Sequence, residues 1–487
     1  MEEPQPPGCT GFSRGMVAEM KQDNIEIDSE TSRIRAALVN SGMHTFAEAE
    51  EKLAASALSL VIGQDAAQTP AGQAAFLTAA LTGTRCFGRV LVCGAVDEAL
   101  LFPLPIPAET LGEAAVYFGA QRACHPVSAR KILMGIALEA ESGWAVRAFW
   151  NGWISGVIPA KNTAPFGRSD CALAGVAAGA LAVGQAFLAE QGDVRAGRSA
   201  QSLSLWLPET SELGVLDPGP ILGNVYLPKS LWFIGLGNLG QAFLWSMTLL
   251  PYPKPEEVLL LFQDDQCVGK ENWGTSVLVK RGSYGMLKTR IAEDWAMQRG
   301  FQVRRIDRRL DENLFRSPTE PGIALAGLDR MPARRLLGGR GFEYVIDAGL
   351  GATVADYRKF RLNVFDSGSN PAYHFAEVED ETAQVIHDLM QLRAYKQLTE
   401  TRGDGGCGAT TLAGNSVAVP FVSAFLSALS ITQAIRIVSG EAHHLGITGD
   451  TSNLRNVRSA LGIAAERATV ASVRALSIAP RNEVDFA

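Results

Sequence analysis

The segment that most constrains the fold of this chain is LWFIGLGNLGQAFLW, at residues 231–245. An apolar stretch typical of a buried strand leads into Gly235, Gly237 and Gly240, which spell G-x-G-x-x-G, and an apolar stretch typical of a helix follows. A turn of this kind lets the backbone approach a phosphate group at the N-terminus of a helix. The segment therefore predicts an α/β nucleotide-binding unit that begins near residue 230.

The composition limits the classes of protein to consider. A chain of 487 residues with 47% hydrophobic and 20% charged residues is typical of a soluble globular protein of two or three domains. The net charge of −7 argues against a nucleic-acid partner. The seven cysteines form no C-x-x-C pair and the six histidines form no H-x-x-x-H pair, which makes a disulfide framework or a structural metal site improbable. We therefore expect a cytoplasmic protein.

Two uncharged stretches, 171–189 and 416–435, are long enough to be mistaken for membrane spans. Both contain Gly, Ala and Gln rather than a run of leucines, and each ends near a charged residue and a glycine. We interpret both as buried helices of a globular core, with no membrane partner.

An internal repeat explains why the glycine turn begins so late in the chain. Three pairs of segments match without gaps: GALAVGQAFLAEQG (179–192) with SALSITQAIRIVSG (427–440), GQAAFL (72–77) with GQAFLW (240–245), and RVLVCG (89–94) with EVLLLF (257–262). Similar blocks in the same order predict a duplicated Rossmann-like α/β unit. We call residues 30–205 the first unit and residues 229–445 the second unit.

The first unit is predicted to lack a nucleotide site. Its counterpart of the glycine turn reads IGQDAAQTPAG, and Val96 stands at the position that matches Asp264 of the second unit. The predicted layout is a flexible N-terminus (1–29), an inactive first unit, a linker (206–228), an active second unit and a C-terminal extension (446–487).

The residues after the turn indicate the chemistry. The strand at 258–263 ends in Asp264, a carboxylate placed to hydrogen-bond a ribose hydroxyl. Asn272 and Lys288 follow it, and the segment LAGLDRMPARRLL (325–337) carries Asp329 and Arg334. This set resembles the ubiquitin-activating (E1-like) superfamily, whose pattern is G-x-G-x-x-G, D-x-D, N-x-x-R, a downstream Lys and D-N-x-x-x-R.

The resemblance implies two E1-type adenylation domains that form an intramolecular pseudo-dimer and use ATP and Mg²⁺. By position, Asp264 would hold the ribose, Asn272 and Lys288 the phosphates, and Asp329 the Mg²⁺. Arg334 would match the arginine that closes the last motif.

Three positions depart from the family pattern. Gln266 replaces the second Asp of D-x-D, Thr275 replaces the arginine of N-x-x-R, and Arg330 replaces the Asn of D-N. Lys280, Arg281 and a basic residue of the first unit are the alternatives for the missing charge.

Cys407 lies in the glycine-rich segment RGDGGCGATTLAGNSVAVPFVSA (402–424), ahead of the second uncharged helix. The resemblance places the acceptor cysteine of E1-like enzymes in such a loop, which makes Cys407 the predicted nucleophile and Cys267 the next candidate.

The implied function is ATP-dependent adenylation of the C-terminus of a ubiquitin-like protein, thioester formation on Cys407, and transfer to an E2-like partner. The layout is similar to the E1-like component of bacterial ubiquitin-like conjugation (Bil-type) operons, which are linked to antiphage defence. Three alternatives stay open: a sulfur-carrier-type adenylyltransferase without a thioester, an NAD-dependent Rossmann oxidoreductase, and a decayed, non-catalytic scaffold.

Overall fold

A computed structural model describes residues 30–39, 45–136, 138, 143–163, 166–209, 215–351, 354–376, 381–402, 418–464 and 472–474. The helices of the first unit are α1 (Ser32–Val39), α2 (Phe46–Ala55), α3 (Gln64–Ala67), α4 (Pro70–Cys86), α5 (Leu111–Tyr117) and α6 (Ala172–Glu190). Its strands are β1 (Ala57–Ile62), β2 (Arg89–Gly94), β3 (Gln121–Arg122), β4 (Arg130–Met134), β5 (Trp144–Asn151), β6 (Ile154–Pro159) and β7 (Gln201–Ser204).

The rest of the chain continues this alternation. Its helices are α7 (Asn238–Thr248), α8 (Lys288–Gln298), α9 (Met331–Arg335), α10 (Pro371–His374), α11 (Glu381–Met390), α12 (Arg393–Arg402) and α13 (Pro420–Ser439). Its strands are β8 (Tyr226–Pro228), β9 (Ser230–Ile234), β10 (Leu259–Gln263), β11 (Gln302–Ile306), β12 (Ile323–Ala326), β13 (Tyr344–Leu350), β14 (Lys359–Asp366), β15 (Ala442–Asp450), β16 (Arg458–Ala464) and β17 (Ser472–Arg474).

The two units have the same strand topology. The first sheet has the order β3-β2-β1-β4-β5-β6-β7, and the second has the order β11-β10-β9-β12-β13-β14-β15-β16. In each sheet the first five strands pair in parallel and the later strands pair antiparallel. This confirms the prediction of an α/β protein that contains two similar units.

The strand registers refine the sequence alignment of the units. Ile62 lies beside Gly94 in the first sheet, and Ile234 lies beside Gln263 in the second. Ile62 and Ile234 are equivalent, because each ends the first strand of its unit's parallel sheet just before a glycine. Gly94 therefore corresponds to Gln263, and Asp264 corresponds to Ala95 rather than to Val96. The ungapped alignment was one residue out because the connections that precede the second strands differ in length.

The two uncharged stretches form helices α6 and α13, which lie in the interior as predicted. Both are long and apolar enough to cross a membrane by composition, and both are wholly buried within the protein. Helix α6 packs on α4, α13 packs on α7, and α6 and α13 pack on each other across the boundary between the units. Close approach explains the small residues, since a Cβ on Gly175 would lie 2.0 Å from the carbonyl oxygen of Ala71.

Residues 446–464 belong to the second sheet. Strand β15 runs through residue 445, and β16 pairs with it antiparallel. Farther along, β17 pairs with β8, so the chain returns to the segment that joins the two units.

Candidate active site

The glycine turn connects β9 to α7 and is shaped by two of its three glycines. Gly235 has φ +85°, a conformation that L side chains rarely adopt. A Cβ on Gly240 would lie 2.1 Å from the carbonyl oxygen of Gly235, so helix α7 can pack against the turn only if residue 240 is glycine. Gly237 faces open space, because a Cβ there would contact nothing within 4 Å.

A cavity of about 840 Å³ opens at the carboxyl ends of β9, β10 and β12, next to this turn. The predicted residues that line it are Gly235, Gly237, Asp264, Asn272, Lys288, Asp329 and Arg334. Gly240 is buried beneath the turn and supports it. The crevice at the carboxyl ends of parallel strands is the usual ligand site of open α/β sheets.

The Asp264 carboxylate holds the turn in place. One oxygen accepts a hydrogen bond from the Leu236 amide at 2.6 Å, and the other accepts one from the Gln266 amide at 2.8 Å. A carboxylate can accept about four hydrogen bonds in all, so both oxygens retain acceptor capacity for a ribose hydroxyl.

Lys288 is the first residue of α8 and is only 7% exposed. Its Nζ donates a hydrogen bond to Gln266 Oε1 at 2.7 Å. Gln266 is the residue that departs from D-x-D, and because it is neutral it orients the ammonium group without cancelling its charge. The positive charge of Lys288 therefore stays available to an anion in the cavity.

Asp329 and Arg334, which follow β12, differ in exposure and in contacts. Asp329 is exposed at the cavity wall. The Arg334 guanidinium is buried, and it donates to the Leu328 carbonyl oxygen at 2.7 and 2.9 Å and pairs with Asp347 at 3.4 Å. Burial raises the pKa of Asp347, and the charge of Arg334 opposes that rise. Arg334 thus fixes the backbone next to Asp329.

Asn272 and Thr275 shape the opposite wall. Asn272 Oδ1 accepts from the Gly269 amide at 2.9 Å, and Thr275 is buried with its hydroxyl 3.4 Å from the Asn272 carbonyl oxygen. The guanidinium groups of Arg85 and Arg281 both contact the Trp273 ring, at 4.4 and 4.5 Å from its centre. Because Arg85 belongs to α4, this loop is held by both units.

Arg33, on helix α1 of the first unit, also lines the cavity and was not named from the sequence. Burial lowers the pKa of its guanidinium, and the charges of Glu271 and Asp329 oppose that change. Of the alternatives for the missing charge, Lys280 instead lies over the Tyr117 ring at 5.0 Å. The sequence offered no signal for Arg33, because its neighbours in the cavity lie more than two hundred residues away in the chain.

The segment that carries Arg33 is anchored on the second unit. Glu30 forms an ion pair with Arg281 at 2.9 Å and accepts a hydrogen bond from the Tyr284 hydroxyl. The chain passes so close to Gly274 that a Cβ there would lie 2.4 Å from the Glu30 carbonyl oxygen. Helix α1 therefore crosses from the first unit to the site of the second.

The cavity suits a bound phosphate group. Helix α7 begins at the cavity with no side-chain cap, and Gly237 and Asn238 line this end. In the described structure the amide nitrogen and oxygen of Asn238 are buried without a hydrogen-bond partner. Uncapped N–H groups at a helix N-terminus favour an anion.

A divalent cation would depend on Asp329 together with ligands from the nucleotide. The described ranges contain no group of three or more His, Cys, Asp or Glu side chains that could hold a metal ion. Mg²⁺ is commonly held by one or two carboxylates plus substrate phosphates, so Asp329 fits that mode of binding.

The predicted nucleophile Cys407 lies outside the described residues, as do Gly405, Gly406 and Gly408. The described chain ends at Arg402 in α12 and resumes at Ala418, which lines the cavity. Among the described cysteines, Cys124 and Cys267 are exposed. Burial raises the pKa of the thiols of Cys86, Cys93 and Cys171. The pKa of Cys171 rises to about 12.

Comparison with known proteins gives similarities over both units. Residues 57–205 match the model of the BilD N-terminal domain, and residues 227–441 match that of the BilD C-terminal domain. A bacterial E1-like protein BilD from Collimonas sp. (strain OK412) is 32% identical over 405 residues, which covers 82% of this chain and 86% of that protein.

Solved structures of E. coli MccB are more distant. The structure with ATP is 14% identical with a TM-score of 0.34, and it covers 51% of this chain and 66% of that one. The structure with MccA-N7isoASN is 13% identical with a TM-score of 0.32, and the covered shares are 51% and 67%. On the two domain matches and the sequence identity to the Collimonas protein, this chain belongs to the BilD family of bacterial E1-like proteins.

Proposed function

We propose that this chain is an ATP-dependent activator of a ubiquitin-like protein, with one nucleotide site in its second unit. The observation that carries the proposal is the cavity at the glycine turn. It brings Asp264, Lys288 and Asp329 of the second unit together with Arg33 of the first.

ATP would lie with its ribose at the end of β10 and its phosphates at the turn after β9. The Asp264 carboxylate would accept from the ribose hydroxyls, and the N-terminus of α7 would bind a phosphate. Lys288 and Arg33 would contribute positive charge, and Asn272 would add amide hydrogen bonds. Asp329 would hold Mg²⁺, which reduces the negative charge of the phosphates when it is bound.

The first chemical step is the transfer of AMP to the carrier. An oxygen of the carrier's C-terminal carboxylate attacks the α-phosphorus of ATP, and the bond to the bridging oxygen of pyrophosphate breaks. The products are an acyl-adenylate and pyrophosphate. Since two anions must meet, the fixed cations Lys288 and Arg33 lower the barrier by electrostatic stabilisation.

The second step uses the predicted nucleophile. The Cys407 thiolate attacks the acyl carbon, AMP leaves, and the carrier is held as a thioester until an E2-like partner accepts it. Ala418, which follows the Cys407 segment, lines the cavity and supports delivery of the sulfur to this place. The buried thiols of Cys86 and Cys171 are poor candidates, because burial raises their pKa.

The first unit would act as the inactive partner of an intramolecular pseudo-dimer. Its crevice contains its own carboxylate, that of Asp65, where a phosphate would have to bind. Through helix α1 it contributes Arg33 to the other unit's site.

Two measurements test this function with the ubiquitin-like protein encoded nearest to the gene. Pyrophosphate–ATP exchange should require that carrier and its C-terminal residue. A non-reducing gel should show a band heavier by one carrier, which a thiol reductant removes. Cys407→Ala should abolish the band and leave the exchange intact, whereas Cys124→Ala, at an exposed cysteine of the first unit, should change neither.

The outcomes separate the alternatives. Exchange without a reductant-sensitive band would mean a sulfur-carrier-type adenylyltransferase. An adduct that persists in Cys407→Ala would point to Cys267. Oxidation of NADH in place of exchange would favour an oxidoreductase, and failure to bind any nucleotide would favour a scaffold.

A further inference from the structure

Among the residues that the structure describes, six cationic side chains line the cavity, and most of them have partners within the protein. They are Arg33, Lys288, Arg308, Arg309, Arg330 and Arg334. Arg308 pairs with Asp311 at 3.4 Å, and Arg309 pairs with Asp265 at 3.2 Å.

Arg330 differs from the other five. It is exposed and immediately precedes helix α9. Within the described ranges its guanidinium has no ion pair, hydrogen bond or aromatic contact, although it follows Asp329 directly in the chain. Its five N–H donors are therefore available to a ligand.

The opposite wall of the cavity lacks a cation of its own along the loop 272–275. Thr275 is buried there, and its hydroxyl is directed to the Asn272 carbonyl oxygen. The triphosphate of ATP needs several positive partners, and this wall supplies none from its own side chains.

The order of the strands places Arg330 on the opposite side of the glycine turn from Asp264. In the second sheet the strands run β10, β9, β12, with Asp264 after β10, the glycine turn after β9 and Arg330 after β12. Neighbouring strands are spaced about 4.8 Å apart, so β12 lies roughly 10 Å from β10. A nucleotide with its ribose at Asp264 and its first phosphate at the turn would extend its remaining phosphates toward Arg330.

We propose that Arg330 binds the β- and γ-phosphates of ATP and supplies the charge that Thr275 does not provide. This inference rests on the proposed function, because it requires ATP in the cavity. A guanidinium can bind phosphate oxygens with two parallel hydrogen bonds, which an ammonium cannot reproduce. Arg330 would then select for the triphosphate over the monophosphate.

The test is calorimetric titration of the full chain with ATP and with AMP. Arg330→Asn should weaken ATP binding by about 10- to 100-fold, the range expected when a hydrogen-bonded charged partner is lost, and should change AMP binding by less than about twofold. The ATP affinity of Arg330→Lys should fall between that of the unmodified chain and that of Arg330→Asn. Arg304→Asn is the matched control, since Arg304 is an exposed arginine on β11 that does not line the cavity.

A second comparison separates Arg330 from its neighbour. Asp329→Asn should weaken ATP binding only when Mg²⁺ is present, because its expected partner is the metal. Arg330→Asn should weaken ATP binding with Mg²⁺ and also with a chelator. Arg330→Gln gives the same comparison if Arg330→Asn fails to fold.

The outcomes distinguish the two proposals. If the unmodified chain binds ATP and Arg330→Asn binds it equally well, the assignment of Arg330 is wrong while the proposed function stands. An equal loss for ATP and AMP also overturns the assignment, because it would mean a disturbed loop. If the unmodified chain binds no ATP, the proposed function fails first, and this inference fails with it.

Discussion

The two units share one topology and differ at the crevice where their first strands end. In the second unit, Gly235 and Gly237 leave a cavity between the turn after β9 and the loop after β12. In the first unit, the corresponding turn is replaced by helix α3, whose Asp65 carboxylate accepts a hydrogen bond from the Ile136 amide at 2.7 Å. The turn of the second unit borders an open cavity, whereas at the corresponding place in the first unit the Asp65 carboxylate is bound to the loop after β4.

The surroundings of Asp65 reinforce the difference. The Arg147 guanidinium donates hydrogen bonds to the carbonyl oxygens of Gly135 and Leu138 and so links two positions of the chain after β4. The charge of Asp65 opposes the lowering of the Arg147 pKa that burial causes. An anionic ligand would have to displace Asp65, and we therefore expect one nucleotide per chain.

The units also differ at the start of the helix after their second strand. Helix α8 begins with Lys288, whereas α5 begins with Leu111, which is fully buried. The strand topology is kept in both units, while the polar residues at the carboxyl ends of their strands differ. In the proposed function, these polar positions distinguish the active unit from the inactive one.

The strongest test of this contrast replaces Lys288 by leucine, the residue that begins the corresponding helix of the first unit. Lys288→Leu removes the cation that we propose contacts the phosphates, and it leaves Gln266 Oε1 without its hydrogen-bond donor. Pyrophosphate–ATP exchange should fall by about 10²–10³-fold, the usual cost of losing one partner of the transition-state charge. Thermal unfolding should show that the chain is still folded, and exchange at the normal rate would mean that Lys288 is merely structural.

A matched pair of glycines separates stability from function. A Cβ on Gly240 would lie 2.1 Å from the Gly235 carbonyl oxygen, and a Cβ on Gly72 would lie 2.0 Å from that of Ala66. Replacing either by alanine should cost about 1–3 kcal/mol of stability through overpacking. Only Gly240→Ala should weaken ATP binding, by about 10-fold or more, because only its turn borders the proposed nucleotide site. Equal losses of ATP affinity in both variants would contradict the assignment of one site per chain.

The glycine turn and Asp264 were candidates from the sequence pattern itself, whereas Lys288 and Asp329 became candidates through the resemblance to the E1-like superfamily. Gly235, Asp264 and Asp329 line one cavity because they follow neighbouring parallel strands, whose carboxyl ends share an edge of the sheet. Lys288 reaches the same cavity from the start of helix α8. The internal repeat predicted a second sheet of similar topology, because local apolar patterns encode the strands and the helices that cover them.

Long-range packing could not be predicted in this way. Arg33 reaches the cavity because Glu30 binds Arg281, a contact between segments about 250 positions apart. The partners of Arg334 lie nearer in the chain, at Leu328 and Asp347, but the sequence pattern did not indicate them either. Cys407 stays a prediction, since it lies outside the described residues.

The contribution of the first unit can be measured directly through Arg33. Arg33→Ala should slow exchange by about 10-fold, less than Lys288→Leu, because several other cations line the cavity. Arg89→Ala is the control, since Arg89 is an exposed arginine of the same unit on β2 and does not line the cavity. If Arg33→Ala were no slower than Arg89→Ala, the first unit would serve only as a scaffold.

The smallest expected effect concerns Glu30, which tethers the segment of Arg33 to the second unit. Burial raises the pKa of Glu30, but hydrogen bonds from Tyr284 and Arg281 outweigh this and leave the pKa below its ordinary value. A carboxylate with a lowered pKa in the folded state stabilises the protein above its unfolded pKa, near 4.5, and this stabilisation is lost as the pH falls through the lower, folded value. Glu30→Gln should therefore cost about 1 kcal/mol at pH 7 and slow exchange about twofold. In thermal unfolding from pH 7 to pH 3, the difference between the variant and the unmodified chain should shrink below pH 4.5, and a difference independent of pH would mean that the tether does not depend on the charge of Glu30.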